Sequence, residues 1–230
     1  MDAREIVRLT LTAAFVASLG SGTAIGQASL VPNPSFEDVE TVDTITAKTG
    51  FTFEGKVLKE EKDQILVRVA GGTEVPWKRE NIEKTGKKDN PKGWTFHVIQ
   101  LPVADSLDKA GGRTGKQSFK LAIEKQGGKG FLHSAAFAVK PGAKYNVSAW
   151  IKGSGAGSVE VLWWEKYDLD EKKEIAMSKR HRDVVEPKKA TADWQRITGS
   201  FTAPEDAAKA YVRLVGLDGD VAFDDVEMAE

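Results

Sequence analysis

Residues 145–167, YNVSAWIKGSGAGSVEVLWWEKY, alternate apolar and polar side chains on both sides of a glycine-rich centre. A period of two is the signature of an extended strand with one buried face. Tyr145, Val147, Ala149 and Ile151 share one face, and Asn146, Ser148, Trp150 and Lys152 share the other. After the glycines, Val159, Val161 and Trp163 stand opposite in sense to Glu160, Leu162 and Trp164. If Gly153 to Gly157 close a simple hairpin, Trp150 lies opposite Glu160 and Trp164 opposite Asn146. Both rings then project from one polar face, about 14 Å apart along the strands. Two spaced aromatics on such a face either form a platform for a flat ligand or are covered by a second layer.

The same alternation recurs through most of the chain. Ser118 to Glu124 points Phe119, Leu121 and Ile123 inward, Phe131 to Val139 ends at Pro141-Gly142, and Trp194–Thr202, Ala210–Val215 and Val221–Met228 read as three further strands. Tyr211, Arg213 and Val215 share one face of the strand at 210–216, which makes Arg213 a polar candidate. With strands at short spacing and no long amphipathic helix, the expectation is an all-β fold, an antiparallel β-sandwich. Thr49 to Lys84 has a logic of its own: short alternating strands carry Phe51, Phe53, Val57, Ile65, Val67, Val69, Val75 and Ile82, enough for a very small separate core. Its G-x-V strand, charged turn and V-P-x-x-x-I ending resemble small SH3-like barrels. Residues 43–88 are therefore expected to be a small inserted β-barrel-like subdomain, with 87–93 as a linker and turn.

Six motifs follow one another in order: NPSFE (33–37), P-x-G-W (91–94), G-x-x-S-x-x-L (115–121), Y-x-V-S-A-W-I-K (145–152), W-x-R-I-x-G-x-F-T-x-P (194–204) and V-x-F-D-D-V-E-M (221–228). Together they resemble the jelly-roll carbohydrate-binding modules of families 4, 9 and 22, which have the galactose-binding-like fold. The resemblance covers about residues 29–42 and 89–230 and omits the insert. It implies a saccharide ligand on the concave sheet, with rings against sugar faces and polar side chains on hydroxyls. The candidates are Trp150, Trp164 and Tyr167, with Glu160, Asn146 and Arg213. It also implies a structural calcium that ties the first strand to the last through Glu37 and Asp224, with Asp225 as the alternative and carbonyls of Gly115 to Gln117 completing the shell. Calcium needs about six to eight hard oxygens, so two side chains alone do not define such a site.

Composition narrows the remaining possibilities. The 33 basic and 34 acidic residues leave a net charge of -1, which removes the electrostatic case for a nucleic-acid partner. No cysteine is present, so thiolate catalysis and cysteine metal sites are excluded. The three histidines, His97, His133 and His181, share no short metal spacing. No G-x-S-x-G motif occurs, and the reading is a non-catalytic protein. At the start, Arg4 and Arg8 precede an apolar run from Leu9 to Leu19 and small residues up to Gly26-Gln27-Ala28. This order reads as an export signal over residues 1–28, cleaved after Gly26 or Ala28, or else as an uncleaved anchor. With the signal removed no membrane span is expected, and the protein is expected to be exported: secreted, periplasmic or on the cell surface. Poly- or oligosaccharide binding is the leading function. The alternative is a structural or adhesion protein with a jelly roll that no longer binds sugar, its insert serving as a protein-interaction module.

Overall fold

The computed structural model describes residues 28–50, 52–69, 74–98, 103–124, 126–165 and 180–230. The expected export signal, Tyr167 and Phe51 lie outside these residues. Among the described residues the chain is all-β apart from one short 3-10 turn.

The segment expected as an insert, called the insert below, lies within five strands: β1 (Val39–Ala47), β2 (Thr52–Glu60), β3 (Gln64–Val69), β4 (Glu74–Lys78) and β5 (Ile82–Pro91). They form one antiparallel sheet in the order β4-β3-β2-β1-β5. Ile45, Ile65 and Val67 are its buried core, with Phe53, Val57, Trp77 and Ile82 packed on them. Trp77 stacks on Phe53 with ring centroids 4.6 Å apart. Entry and exit of the insert pair with each other, because the β1/β5 ladder runs from Val39↔Pro91 inward. The expected boundaries at 43 and 88 therefore fall inside strands, and Lys87–Pro91, expected as linker, is the end of β5. β1 runs unbroken through residue 43, where Asp43 pairs with Gly55 of β2 and Lys87 of β5.

The jelly roll is made of β6 (Trp94–Val98), β7 (Val103–Asp108), β8 (Ser118–Ile123), β9 (Lys129–Ser134), β10 (Phe137–Ala138), β11 (Lys144–Gly153), β12 (Ala156–Glu165), β13 (Arg180–Val184), β14 (Lys188–Lys189), β15 (Gln195–Thr202), β16 (Ala207–Leu217) and β17 (Val221–Ala229). One sheet runs β13-β12-β16-β9-β6, the other β15-β11-β17-β8-β7. Between them lies one core, in which Phe36, Leu121, Ile151, Val159, Trp163, Leu214, Phe223 and Met228 are completely or almost completely buried. Two packed sheets, each with its apolar face inward, satisfy both faces of the alternation seen in the sequence.

The expected β11/β12 hairpin is not formed. Pairing places β11 between β15 and β17, and β12 between β13 and β16. Residues 153–155 carry the chain from one sheet to the other, with Ser154 and Gly155 donating their N–H groups to Asp220 O and Gly153 donating to Thr191 O. Gly153 has φ +144, and a Cβ there would lie 2.1 Å from Asp220 O. Only glycine admits that approach. The inward faces of β11 and β12 thus meet across the core instead of sharing one face.

Candidate functional site

The outer face of the β13-β12-β16-β9-β6 sheet carries a continuous set of aromatic and charged side chains. Glu160 of β12 pairs in register with Arg213 of β16, Arg213 with His133 of β9, and His133 with Thr95 of β6. Arg213 donates from Nε to Glu160 Oε2 at 2.6 Å, and its Nη2 also contacts that oxygen. Arg182 of β13 approaches the second Glu160 oxygen at 3.9 Å. Glu160 is 7% exposed, so this carboxylate is nearly out of water, and the two guanidinium groups compensate its lost hydration. The Arg213 guanidinium also lies over the Phe131 ring at 4.6 Å. Tyr211 stacks on His133 with centroids 5.3 Å apart and meets Trp164 edge-on at 5.9 Å. Trp164 is 38% exposed, while its chain neighbour Trp163 is fully buried and donates its indole N–H to Asp183.

Trp150 and Asn146 stand on the outer face of the opposite sheet. Trp150 pairs with Arg196 and Asp224, not with Glu160, and its ring is covered by the Arg113 guanidinium at 3.7 Å. Asn146 pairs with Ser200 and Ala229 and lines a polar groove with Ser148, Arg196, Thr198 and Glu227. The expectation that Trp150 and Trp164 share one face is therefore corrected: the crossing at 153–155 sends the two strands to different sheets.

A third cluster ties the chain ends together. Asn33 and Phe36 adopt φ of 45° and 58°, a turn in which Phe36 donates its N–H to Asn33 O. That turn drives the Phe36 ring into the core against Trp94, with centroids 5.2 Å apart, while Trp94 Nε1 donates back to Pro32 O and Asn33 O. Glu37 Oε1 accepts the N–H groups of Lys116 and Gln117, both at 2.8 Å. At Gly115, φ +65, a Cβ would fall 2.4 Å from that oxygen, so the loop can close only on glycine. Asp224 Oδ2 accepts from the N–H groups of Arg113 and Thr114, and its Oδ1 from Asp225 N–H. Asp225 sits at a β-bulge with φ 45 and accepts from Ser35 Oγ, from the Thr114 hydroxyl and from Arg113 Nη1. Val226 donates to Pro34 O. NPSFE, P-x-G-W, the 115–121 motif and the closing F-D-D-V thus meet at one end of the sandwich. The family model of the carbohydrate binding domain, families 4 and 9, matches residues 28–218.

The chain belongs to this carbohydrate binding domain family. No curated protein sequence matches it. Among solved structures it is similar to the N-terminal xylanase 10B modules of Clostridium thermocellum, complexed with xylohexaose, at 16% identity and TM-score 0.44, over 60% of this chain and 26% of that one. The chain therefore spans about a quarter of that protein's length. It is likewise similar to the xylan-binding domain of xylanase 10C from Paenibacillus barcinonensis, at 14% identity and TM-score 0.44, over 60% and 85% of the two chains. A promiscuous carbohydrate-binding module of the β-sandwich superfamily matches at 13% identity and TM-score 0.41, over 84% and 86%.

In this carbohydrate binding domain the residues expected to hold calcium, Glu37, Asp224 and Asp225, lie together with their carboxylates engaged by donors of the chain. Calcium needs about six to eight oxygens with free lone pairs. Both oxygens of Asp224 and of Asp225, and Oε1 of Glu37, face N–H or O–H donors, and Arg113 already supplies positive charge to Asp225. Among the described residues no group of three or more acidic or histidine side chains is placed to hold a metal. Burial pushes the Asp224 carboxyl up to about 6, against the pull of its backbone N–H bonds. Glu37 is held below its ordinary value by the Gln117 N–H first of all, and Asp225, although burial opposes it, by Ser35, Thr114 and Arg113.

Of the expected ligand residues the structure brings together Trp164, Glu160 and Arg213, and it separates Trp150 and Asn146 from them. Phe131, His133, Tyr211 and Arg182 belong to the same face and carried no motif. The alternation F-L-H in β9, with Leu132 fully buried, was the available signal for Phe131 and His133.

Proposed function

We propose that this protein is an exported, non-catalytic module that binds poly- or oligosaccharide on the outer face of the β13-β12-β16-β9-β6 sheet. The observation that carries the reading is the half-exposed Trp164 beside Tyr211, on the same face as the Glu160–Arg213 pair. A sugar ring has one apolar face of C–H groups and a rim of hydroxyls. Trp164 offers a flat apolar surface to the first, and side chains of fixed geometry along the face offer both donors and acceptors to the second. Arg213 and Glu160 hold each other, and Arg182 adds a second guanidinium beside that carboxylate. Family membership supports the reading, and so does the order Arg4/Arg8, apolar run and small residues for export. Among the described residues no helix is long and apolar enough to cross a membrane.

Covering about 80 Å² of the Trp164 ring at about 25 cal/mol per Å² contributes about 2 kcal/mol before ordering costs. Trp164→Ala is therefore expected to weaken retention in affinity electrophoresis by about tenfold, with the melting temperature nearly unchanged. The panel is a set of neutral soluble polysaccharides. Unaltered retention in Trp164→Ala on every polymer that holds the wild type would overturn the reading.

A further inference from the structure

The insert does more than hang from the β1/β5 ladder. Lys88 of β5 is wedged between Glu54 of β2 and Asp105 of β7, and its ammonium lies 5.2 Å from the Phe96 ring of β6. The side chains of Glu54 and Asp105 are only 7% and 12% exposed. Glu54 Oε2 also accepts from Phe96 N–H, a donor on the side of β6 that faces away from β9. These contacts fix the insert against β6, the edge strand of the proposed saccharide sheet.

Between them lies a groove of about 500 Å³, lined on the insert side by Glu40, Asp43, Glu54, Lys56 and Arg68 and on the jelly-roll side by Trp94 and Thr95. Thr95 is the last member of the row Glu160–Arg213–His133–Thr95 that crosses the sheet. The groove therefore begins where that face ends. From Trp164 to Thr95 the distance is three strand spacings, about 14 Å, and four residues along the strand, about 13 Å. That span exceeds one sugar ring and suits a chain. The lining carries three carboxylates against the cations Lys56, Arg68 and Lys87, which leaves no net charge. Neither a polyanion nor a polycation is favoured by such a wall. A neutral ligand whose hydroxyls both donate and accept is matched by it.

We infer that the groove between the insert and β6 is a further subsite, which holds the continuing end of a neutral glycan whose other units lie on the sheet. This rests on the saccharide reading of the sheet face and adds that the insert sets the length of chain recognised. Wild type, Lys56→Ala/Arg68→Ala and Trp164→Ala are compared in gels containing xylan, β-1,4-galactan or mixed-linkage β-glucan. Each retained protein is then competed with the tri- and hexasaccharide of its polymer. The wild type should be displaced by the hexasaccharide at about tenfold lower concentration than by the trisaccharide. The double variant should lose that advantage while its trisaccharide affinity and melting temperature stay as in the wild type. Trp164→Ala should weaken both competitors. An undiminished length advantage in the double variant, with Trp164→Ala weakened, overturns the subsite and leaves the sheet reading intact. If no gel retains the wild type, or Trp164→Ala binds like it, the sheet reading falls and the subsite with it. Tighter retention on polygalacturonate than on any neutral polymer, lost in the double variant, overturns the neutral-ligand assignment.

Discussion

Trp163 and Trp164 are adjacent in sequence and opposite in role. Trp163 is completely buried, and its N–H is satisfied by Asp183. Trp163→Ala removes that ring from a closed core and is expected to cost about 3–5 kcal/mol, read as a fall in the denaturation midpoint. A Trp163→Ala protein as stable as wild type would contradict the burial. The direction of each side chain was legible in the sequence, because alternation alone decides which of two neighbours points inward. Partnership was not legible. Trp150 and Trp164 show the same outward phase whether β11 and β12 pair or cross, and the choice is made by Asp220 O and Thr191 O, which bind the connecting residues from distant parts of the chain.

At the scale of elements, the loop at 110–117 is clamped between the first turn and the last strand by Glu37, Asp224 and Asp225. Asp224 ordinarily titrates near 3.8 and is raised to about 6 in the fold. A raised carboxyl binds its proton more tightly when folded, so its contribution is present at low pH and is lost as pH rises from about 4 to about 6. The full difference is about 3 kcal/mol. Glu37 and Asp225 are lowered, so their contributions are lost only below their ordinary values of 4.5 and 3.8. Between pH 5 and 7 the melting temperature should fall through Asp224, and Asp224→Asn should remove that slope. Calcium bound at Asp224 would favour the ionised carboxyl and reverse the slope in a chelator-sensitive way. A slope of unchanged size in Asp224→Asn would show that another group titrates. That Glu37 and Asp224 belong to one end of the molecule was implied by the family resemblance. What they bind was not legible, because the donors are backbone N–H groups of a loop whose path no side-chain pattern specifies.

For the whole molecule, the jelly roll and the insert have separate apolar cores joined by the β1/β5 ladder and by Lys88 with its two carboxylates. Replacing residues 44–86 by a short Gly/Ser linker should therefore leave cooperative unfolding of the jelly roll. The same change uncovers the outer edges of β6 and β7, and open edges pair with other chains. The shortened protein should self-associate in sedimentation velocity, whereas loss of cooperative unfolding would show one shared core. Strands β1 and β5 run through both expected boundaries of the insert, at 43 and 88. The central claim is that saccharide is held on the β13-β12-β16-β9-β6 face, and amide chemical-shift mapping with a retained oligosaccharide tests it without any substitution. The account predicts shifts at residues 158–164, 209–215 and 131–134, with 146–150 and 196–200 unmoved. Shifts confined to 146–150, 196–200 and 227–229 would place the ligand on the opposite sheet and contradict it.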